Sequence, residues 1–196
     1  PQLFGVNKPE NIAGLQVNAL AGEMEVYLDG ELKGVSSADK SPLILDRIVP
    51  GDYLVTLKRV TKIKGSYWDF NKLVTFTPRT TIIVSYNLGP EEEFSEGQII
   101  YATTKENSSE ESKLRIDSSI DDIKISVEDM EMVKLNSKQY EGNINFDKPR
   151  TVKVSKDGYD TLEFKILPDS EDERNALKEY NINIDIQLML QPITIE

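Results

Sequence analysis

The sequence contains no histidine and no cysteine in its 196 residues. Without histidine there is no imidazole for general acid or base work. Without cysteine there is no thiol nucleophile, thiolate zinc site, iron–sulfur cluster or disulfide. Chemistry is left to carboxylates, lysines, tyrosines and hydroxyls. The missing cysteines also leave the compartment undecided, because there is no disulfide to imply an oxidising one. No apolar run approaches the roughly 18 residues that a membrane helix needs. The first residue is Pro rather than Met, so any membrane anchor is expected upstream of Pro1. Aromatics are sparse at 8%, and long helical periodicity is absent.

What is abundant is acid, and it is unevenly placed. There are 34 acidic and 23 basic side chains, for a net charge of -11. Residues 1–90 hold 9 acidic and 10 basic groups, whereas residues 91–112 hold 7 and 1, so the excess begins where the chain is expected to divide. The stretch Thr103-Thr104-Lys105-Glu106-Asn107-Ser108-Ser109-Glu110-Glu111-Ser112 has no apolar side chain to tie it to a core, and it reads as a solvated acidic linker. The expected organisation is an N-terminal tail (1–13), a first domain (14–102), the linker (103–112) and a second domain (113–196). Each half is expected to fold alone when cut at the linker.

Alternation with period 2 runs through both halves, as half-buried strands require. Met24, Val26 and Leu28 alternate with polar neighbours, as do Tyr53, Val55 and Leu57, and Ile82, Val84, Tyr86 and Leu88. In the second half Ile123, Ile125 and Val127 do the same, then Leu162, Phe164 and Ile166, and finally Ile182 through Leu190. Asp29-Gly30 between two such runs predicts a two-residue hairpin turn, since both residues tolerate the positive φ of a type I′ turn. Ser170 followed by Glu173 forms a capping box that predicts one short helix over 171–180, ending at Asn181. The fold class expected is all-β, with two small antiparallel sandwiches and one helix inserted in the second.

Sliding the sequence over itself by 99 residues places Leu15 on Leu114, Val17 on Ile116, Val26 on Ile125, Leu28 on Val127, Pro50 on Pro149 and Val55 on Val154. Small shifts then bring Val74 and Phe76 opposite Phe164 and Ile166, and Tyr86 and Leu88 opposite Leu188 and Leu190. A degenerate tandem of one β unit is the reading favoured.

The first half resembles a PEGA domain. The resemblance rests on Gly14-Leu15-Gln16-Val17, on the hairpin Val26-Tyr27-Leu28-Asp29-Gly30-Glu31-Leu32-Lys33-Gly34, and on Ile48-Val49-Pro50-Gly51-Asp52-Tyr53-Leu54-Val55, with Thr77-Pro78 before the closing strand. The second half departs from the pattern, with Val127-Glu128-Asp129-Met130 at the hairpin and Pro149-Arg150-Thr151-Val152 at the turn. It keeps Lys156-Asp157-Gly158-Tyr159, which is similar to a step the first half has lost. The resemblance implies tandem antiparallel sandwiches without catalytic residues of their own, in envelope or extracellular proteins. The Leu88-Gly89-Pro90 ending with its Glu run and Ile99-Ile100-Tyr101 is similar to membrane-anchored members from the bacterial envelope.

The one cluster that stands out lies between Arg59 and Phe70. Arg59, Lys62 and Lys64, with Lys58 beside them, precede Tyr67, Trp68 and Phe70, and Trp68 is the single tryptophan. Rings on a loop offer contact area at low rotamer entropy and suit a glycan or protein partner. The same rings also suit closure of a sandwich end, with Trp68 half-covered and only Tyr67 or Phe70 presented to solvent. Nucleic acid is not expected, because the chain as a whole repels it.

Other constellations are weaker. Asp117, Asp121 and Asp122 lack a calcium-loop pattern and read as a polar turn. Glu23 with Glu25, and Glu128 with Glu131, are formal carboxylate pairs that so acidic a chain supplies by chance. Asn107-Ser108-Ser109 is a formal glycosylation sequon. No catalytic residue, metal site or cofactor is expected. The function expected is a non-enzymatic, exported envelope protein displaying two β units as a spacer or as a platform for an envelope protein or cell-wall glycan. The alternative is an enzyme, or a regulatory subunit of one, with a carboxylate site between the domains.

Overall fold

The computed structural model describes residues 11–192; most of the expected tail at 1–13 lies outside them. The first half forms β1 (Ala13–Ala19), β2 (Glu23–Leu28), β3 (Glu31–Ser37), β4 (Leu43–Ile48), β5 (Gly51–Arg59), β6 (Phe70–Phe76) and β7 (Thr81–Asn87), followed by a 3-10 turn at Glu92–Phe94 and β8 (Glu96–Thr104). The second half forms β9 (Lys113–Ser118), β10 (Lys124–Val127), β11 (Val133–Lys134), β12 (Gln139–Asn143), β13 (Arg150–Ser155) and β14 (Leu162–Ile166). It then continues into helix α1 (Glu171–Ala176), a 3-10 turn at Leu177–Glu179 and β15 (Tyr180–Gln187). The protein is all-β with one short helix, as the alternation requires.

The described residues form three sheets. An eight-stranded sheet runs in the order β11-β12-β9-β15-β8-β7-β1-β4, a four-stranded sheet runs β3-β2-β5-β6, and a three-stranded sheet runs β10-β13-β14. The four-stranded sheet packs on one face of the large sheet, and the three-stranded sheet packs on the other. This follows from where neighbouring side chains go. Ile82, Val84 and Ile99 belong to the core under the four-stranded sheet, while Ile83, Ile100 and Ala102 belong to the core under the three-stranded one. Register places Ile83 opposite Ile100 and Val84 opposite Ile99, so β7 and β8 are buried on both faces. That explains their unbroken apolar runs, which are the mark of a doubly covered strand.

The two ends of the large sheet are connected alike. β1 pairs parallel with β7 and antiparallel with β4, while β9 pairs parallel with β15 and antiparallel with β12. Leu15 lies opposite Ile82, and Leu114 lies opposite Ile182. Through these pairs the closing strands correspond at an offset of 100, placing Tyr86 on Ile186 rather than on Leu188. Sequence alternation misses a slip of two residues because it leaves every side chain on the same face. The expected linker at 103–112 begins inside β8, where Thr103 and Thr104 pair with Asn181 and Tyr180, and only its remaining residues form the loop that follows. β8 itself, on the N-terminal side of that loop, bonds β7 over Glu96–Ile100 and β15 over its whole length.

The Asp29-Gly30 hairpin forms as expected, with φ of 48° and 80°. Asp29 Oδ1 also accepts a 2.8 Å hydrogen bond from the Leu54 amide, locking the turn to β5. Gly30→Val should lower stability by about 1–3 kcal/mol from backbone strain alone, since the space around Gly30 is open; a urea melt checks it. The helix is capped by Ser170, whose hydroxyl accepts from the Glu173 amide at 3.4 Å. It ends sooner than expected, because Tyr180 and Asn181 are drawn into β15.

Glu96 is a point of strain at the start of β8. Its Oε2 is buried without a hydrogen-bond partner. Burial, and secondarily the Asp160 carboxylate, raises its pKa above the usual glutamate range. A raised folded-state pKa means that the folded form holds the proton more tightly than the unfolded chain does, so Glu96 destabilises as pH rises through that range and stays unfavourable above it. Glu96→Gln should therefore raise the melting temperature at pH 7, with the gain shrinking toward pH 4.

Candidate functional site

The Arg59–Phe70 segment is the long connection between β5 and β6, and it rises over the outer face of the four-stranded sheet. Outward positions of β2 present Glu25 and Tyr27 beneath it, with Lys58 of β5 directly opposite Glu25. Together with Arg59, Thr61, Lys64, Tyr67 and Asp69 these residues line a groove of about 540 Å³. The groove is organised by local contacts. Tyr27 donates its hydroxyl proton to Glu25 Oε2 at 2.6 Å, and Lys58 Nζ lies 5.3 Å from the centre of the Tyr27 ring and 3.8 Å from Asp69 Oδ2. The hydrogen bond to Glu25 is the main reason the Tyr27 hydroxyl titrates above its ordinary range.

Arg59 is held in place by a 2.6 Å hydrogen bond from its guanidinium to the Ala21 carbonyl, and it stacks over Tyr67 at 5.2 Å. The loop tip is closed on itself, with the Ser66 hydroxyl donating to the Ile63 carbonyl at 2.7 Å. The result is a preformed trough with two tyrosine rings, three cations and two carboxylates on its walls. Such a surface offers flat apolar contact beside dense hydrogen-bonding groups, which is the chemistry a polyhydroxylated ligand uses.

The structure divides the residues expected at this site. Arg59, Lys64 and Tyr67 line the groove. Lys62 is exposed on the loop outside that lining. Phe70 is not a surface residue: it is 4% exposed and packs against Tyr86 with ring centres 4.5 Å apart, because it opens β6 on the inward face. Trp68 is half-buried, edge-on to Phe70 at 6.0 Å, with its amide bonded to the Gly89 carbonyl. It lines a different hollow, at the junction of the two halves. Trp68→Ala should therefore lower stability by about 2 kcal/mol, roughly half the loss of a fully buried ring, and leave the groove in place; a urea melt reads the first.

Tyr27 and Glu25 stand about thirty residues before the Arg59–Phe70 cluster along the chain. They were nonetheless legible as the outward partners of Met24, Val26 and Leu28. The aspartates of the polar turn have ordinary structural partners: Asp117 accepts from Gln139 and Asp121 from Ser137, both within 2.7 Å, while Asp122 pairs with Lys134. Among the described residues no cluster of acidic side chains is arranged to hold a metal ion.

Comparison with known proteins bears on the half that carries the groove. The chain has a structural likeness to the crystal structure of Parabacteroides merdae β-glucuronidase, at 12% identity and a TM-score of 0.24, covering 82% of this chain and 25% of that one. The chain spans a quarter of that enzyme's length, and a likeness this distant bears on neither fold nor activity. No curated protein matches the chain. The family model of the PEGA domain matches residues 12–92, from the approach to β1 through the turn after β7, and so takes in every residue of the groove. PEGA domains occur in extracellular and periplasmic proteins, and among the described residues no helix is long and apolar enough to cross a membrane. With its hairpin, its Pro50-Gly51-Asp52-Tyr53 turn and its closing strand all in the matched portion, residues 12–92 of this chain match the PEGA domain.

Proposed function

We propose that the chain is a non-enzymatic, exported cell-envelope protein that binds cell-wall glycan through the groove between β2, β5 and the Arg59–Phe70 loop, with the second half a divergent PEGA-like unit that holds it in position. The observation that carries this reading is the groove itself, where Tyr27 and Tyr67 stand among Glu25, Lys58, Arg59, Lys64 and Asp69. Mixed charge with net +1 on an acidic chain suits a partly anionic polymer better than a neutral protein surface. PEGA domains are regarded as carbohydrate- or surface-binding modules, which favours the same reading.

The catalytic alternative finds acids at the junction of the halves, but they are poorly disposed for it. Asp185 is ion-paired with Lys72, and Asp117 accepts a hydrogen bond from Gln139, which fixes charge instead of freeing an acid and a base.

The test is cosedimentation with purified cell-wall sacculi. The wild-type chain should pellet with them, and Tyr67→Ala combined with Tyr27→Ala should weaken binding by about tenfold or more. Equal pelleting of both proteins, or none of either, removes the proposal.

A further inference from the structure

A second hollow of about 270 Å³ lies where β6 crosses the large sheet. Lys72 occupies an inward position of β6, in line with Phe70, Val74 and Phe76, and its ammonium meets Asp185 on the facing β15. Asp117 of β9 is directly opposite Asp185 in register, and Glu92 reaches in from the turn after β7. Three carboxylates and one ammonium thus line the hollow. Glu92 has no ion pair among the described residues, and Asp117 has only its bond from Gln139. Trp68 forms one rim.

The floor is shaped by Tyr86, which is 3% exposed. Its ring lies across Gly97, where an added Cβ would come within 2.6 Å of the ring and 2.2 Å of the Ser85 carbonyl. Gly97 therefore creates the bed on which the ring reaches toward β15. The Tyr86 hydroxyl has no hydrogen-bond partner among the described residues, although the side chain lines the hollow. The local field is negative: burial first, then Asp185 and Glu92, raises the Tyr86 pKa. On the same face burial, Asp185 and Asp117 push Tyr101 up to about 12.

We propose that this hollow is a binding site for a protonated amine or guanidinium, the side-chain end of a lysine or arginine on a partner protein. The cation would sit between the carboxylates of Glu92 and Asp117, neither of which is ion-paired among the described residues, donate a hydrogen bond to the Tyr86 hydroxyl, and lay its alkyl stem against Trp68. Aromatic and carboxylate walls together are the usual receptor for such a group. A neutral sugar would leave the excess of two negative charges uncompensated. The site is separate from the β2–β5 groove, and it stands or falls independently of glycan binding there.

Trp68 is the sole tryptophan, so its emission reports on this hollow alone. The full chain is titrated with n-butylammonium and n-butylguanidinium chloride, with sodium chloride at equal ionic strength and methyl glucoside as controls. The expected result is a saturable emission change with a midpoint in the millimolar range, as befits so small a ligand, absent with both controls. Asp117→Asn and Tyr86→Phe, which keeps the ring over Gly97, should each shift that midpoint upward by about threefold or more. Three results overturn the proposal: no saturable change up to about 100 mM, the same change with methyl glucoside, or midpoints unaltered in both variants.

Discussion

Cut within the loop Lys105–Ser112, the chain should separate into a fragment that folds and a fragment that does not. The N-terminal fragment retains β1 through β8 and its whole core. The C-terminal fragment loses β8, to which β15 is paired along its full length, and from its core it loses Ile100 and Ala102 of β8 together with Ile83 of β7. Two isoleucines and an alanine amount to about 4–6 kcal/mol of burial, against a typical domain stability of about 5–15 kcal/mol. Residues 113–196 alone should therefore show no cooperative melt, and residues 94–196, which restore β8, should melt cooperatively. Mixing the two fragments of the cut chain should rescue the second through the β8–β15 ladder. A sharp, independent melt of 113–196 would show that β8 is dispensable to it. Independent folding of both halves, which the linker composition suggests, is thus expected for the first half only.

Arg174→Ala should be among the most damaging single substitutions, at about 3–5 kcal/mol. Arg174 is 7% exposed, and its guanidinium donates to four backbone carbonyls: Phe146 at 3.1 Å, Asp147 at 3.2 Å, Pro168 at 2.9 Å and Asp169 at 2.6 Å. It ties the loop before β13 to the segment that enters α1. Beside it Arg150, 3% exposed, donates to the Glu128 carbonyl and to Asp147 Oδ1. Alanine at 174 leaves the carbonyls unpaired in a place that water reaches poorly, while Arg174→Lys keeps the charge but serves fewer of them and should fall between. Chemical denaturation measures both; a loss under about 1 kcal/mol for the alanine variant would mean that the carbonyls find other partners.

The strands, the hairpin and the helix cap were legible because each is a local signal: period 2, Asp-Gly, and Ser170 with Glu173. What sequence could not supply was partnership over long separations. Gln98-Ile99-Ile100-Tyr101 reads as a short apolar run, and nothing local says that Ile99 serves one core and Ile100 the other, because the strand that makes the difference, β15, lies some eighty residues on. Lys72 and Asp185 look like ordinary surface charges until the sheets are stacked and each proves to face inward toward the other. Arg150 and Arg174 likewise read as solvated cations, although their surroundings are carbonyls. At the candidate site, chain proximity found Arg59, Lys64 and Tyr67 but wrongly included Phe70, which alternation from Val74 and Phe76 would have turned inward. It overlooked Glu25 and Tyr27, which reach the groove from thirty residues away.

The most direct test of glycan binding by the groove is hydrogen exchange on the intact chain, with and without solubilised cell-wall glycan. Exchange should slow at Glu25–Tyr27 and Lys58–Asp69 and nowhere else, and the slowing should be lost in Tyr67→Ala. Unchanged exchange throughout, or protection that falls on β9, β12 and β15 while the groove stays as it was, would contradict it.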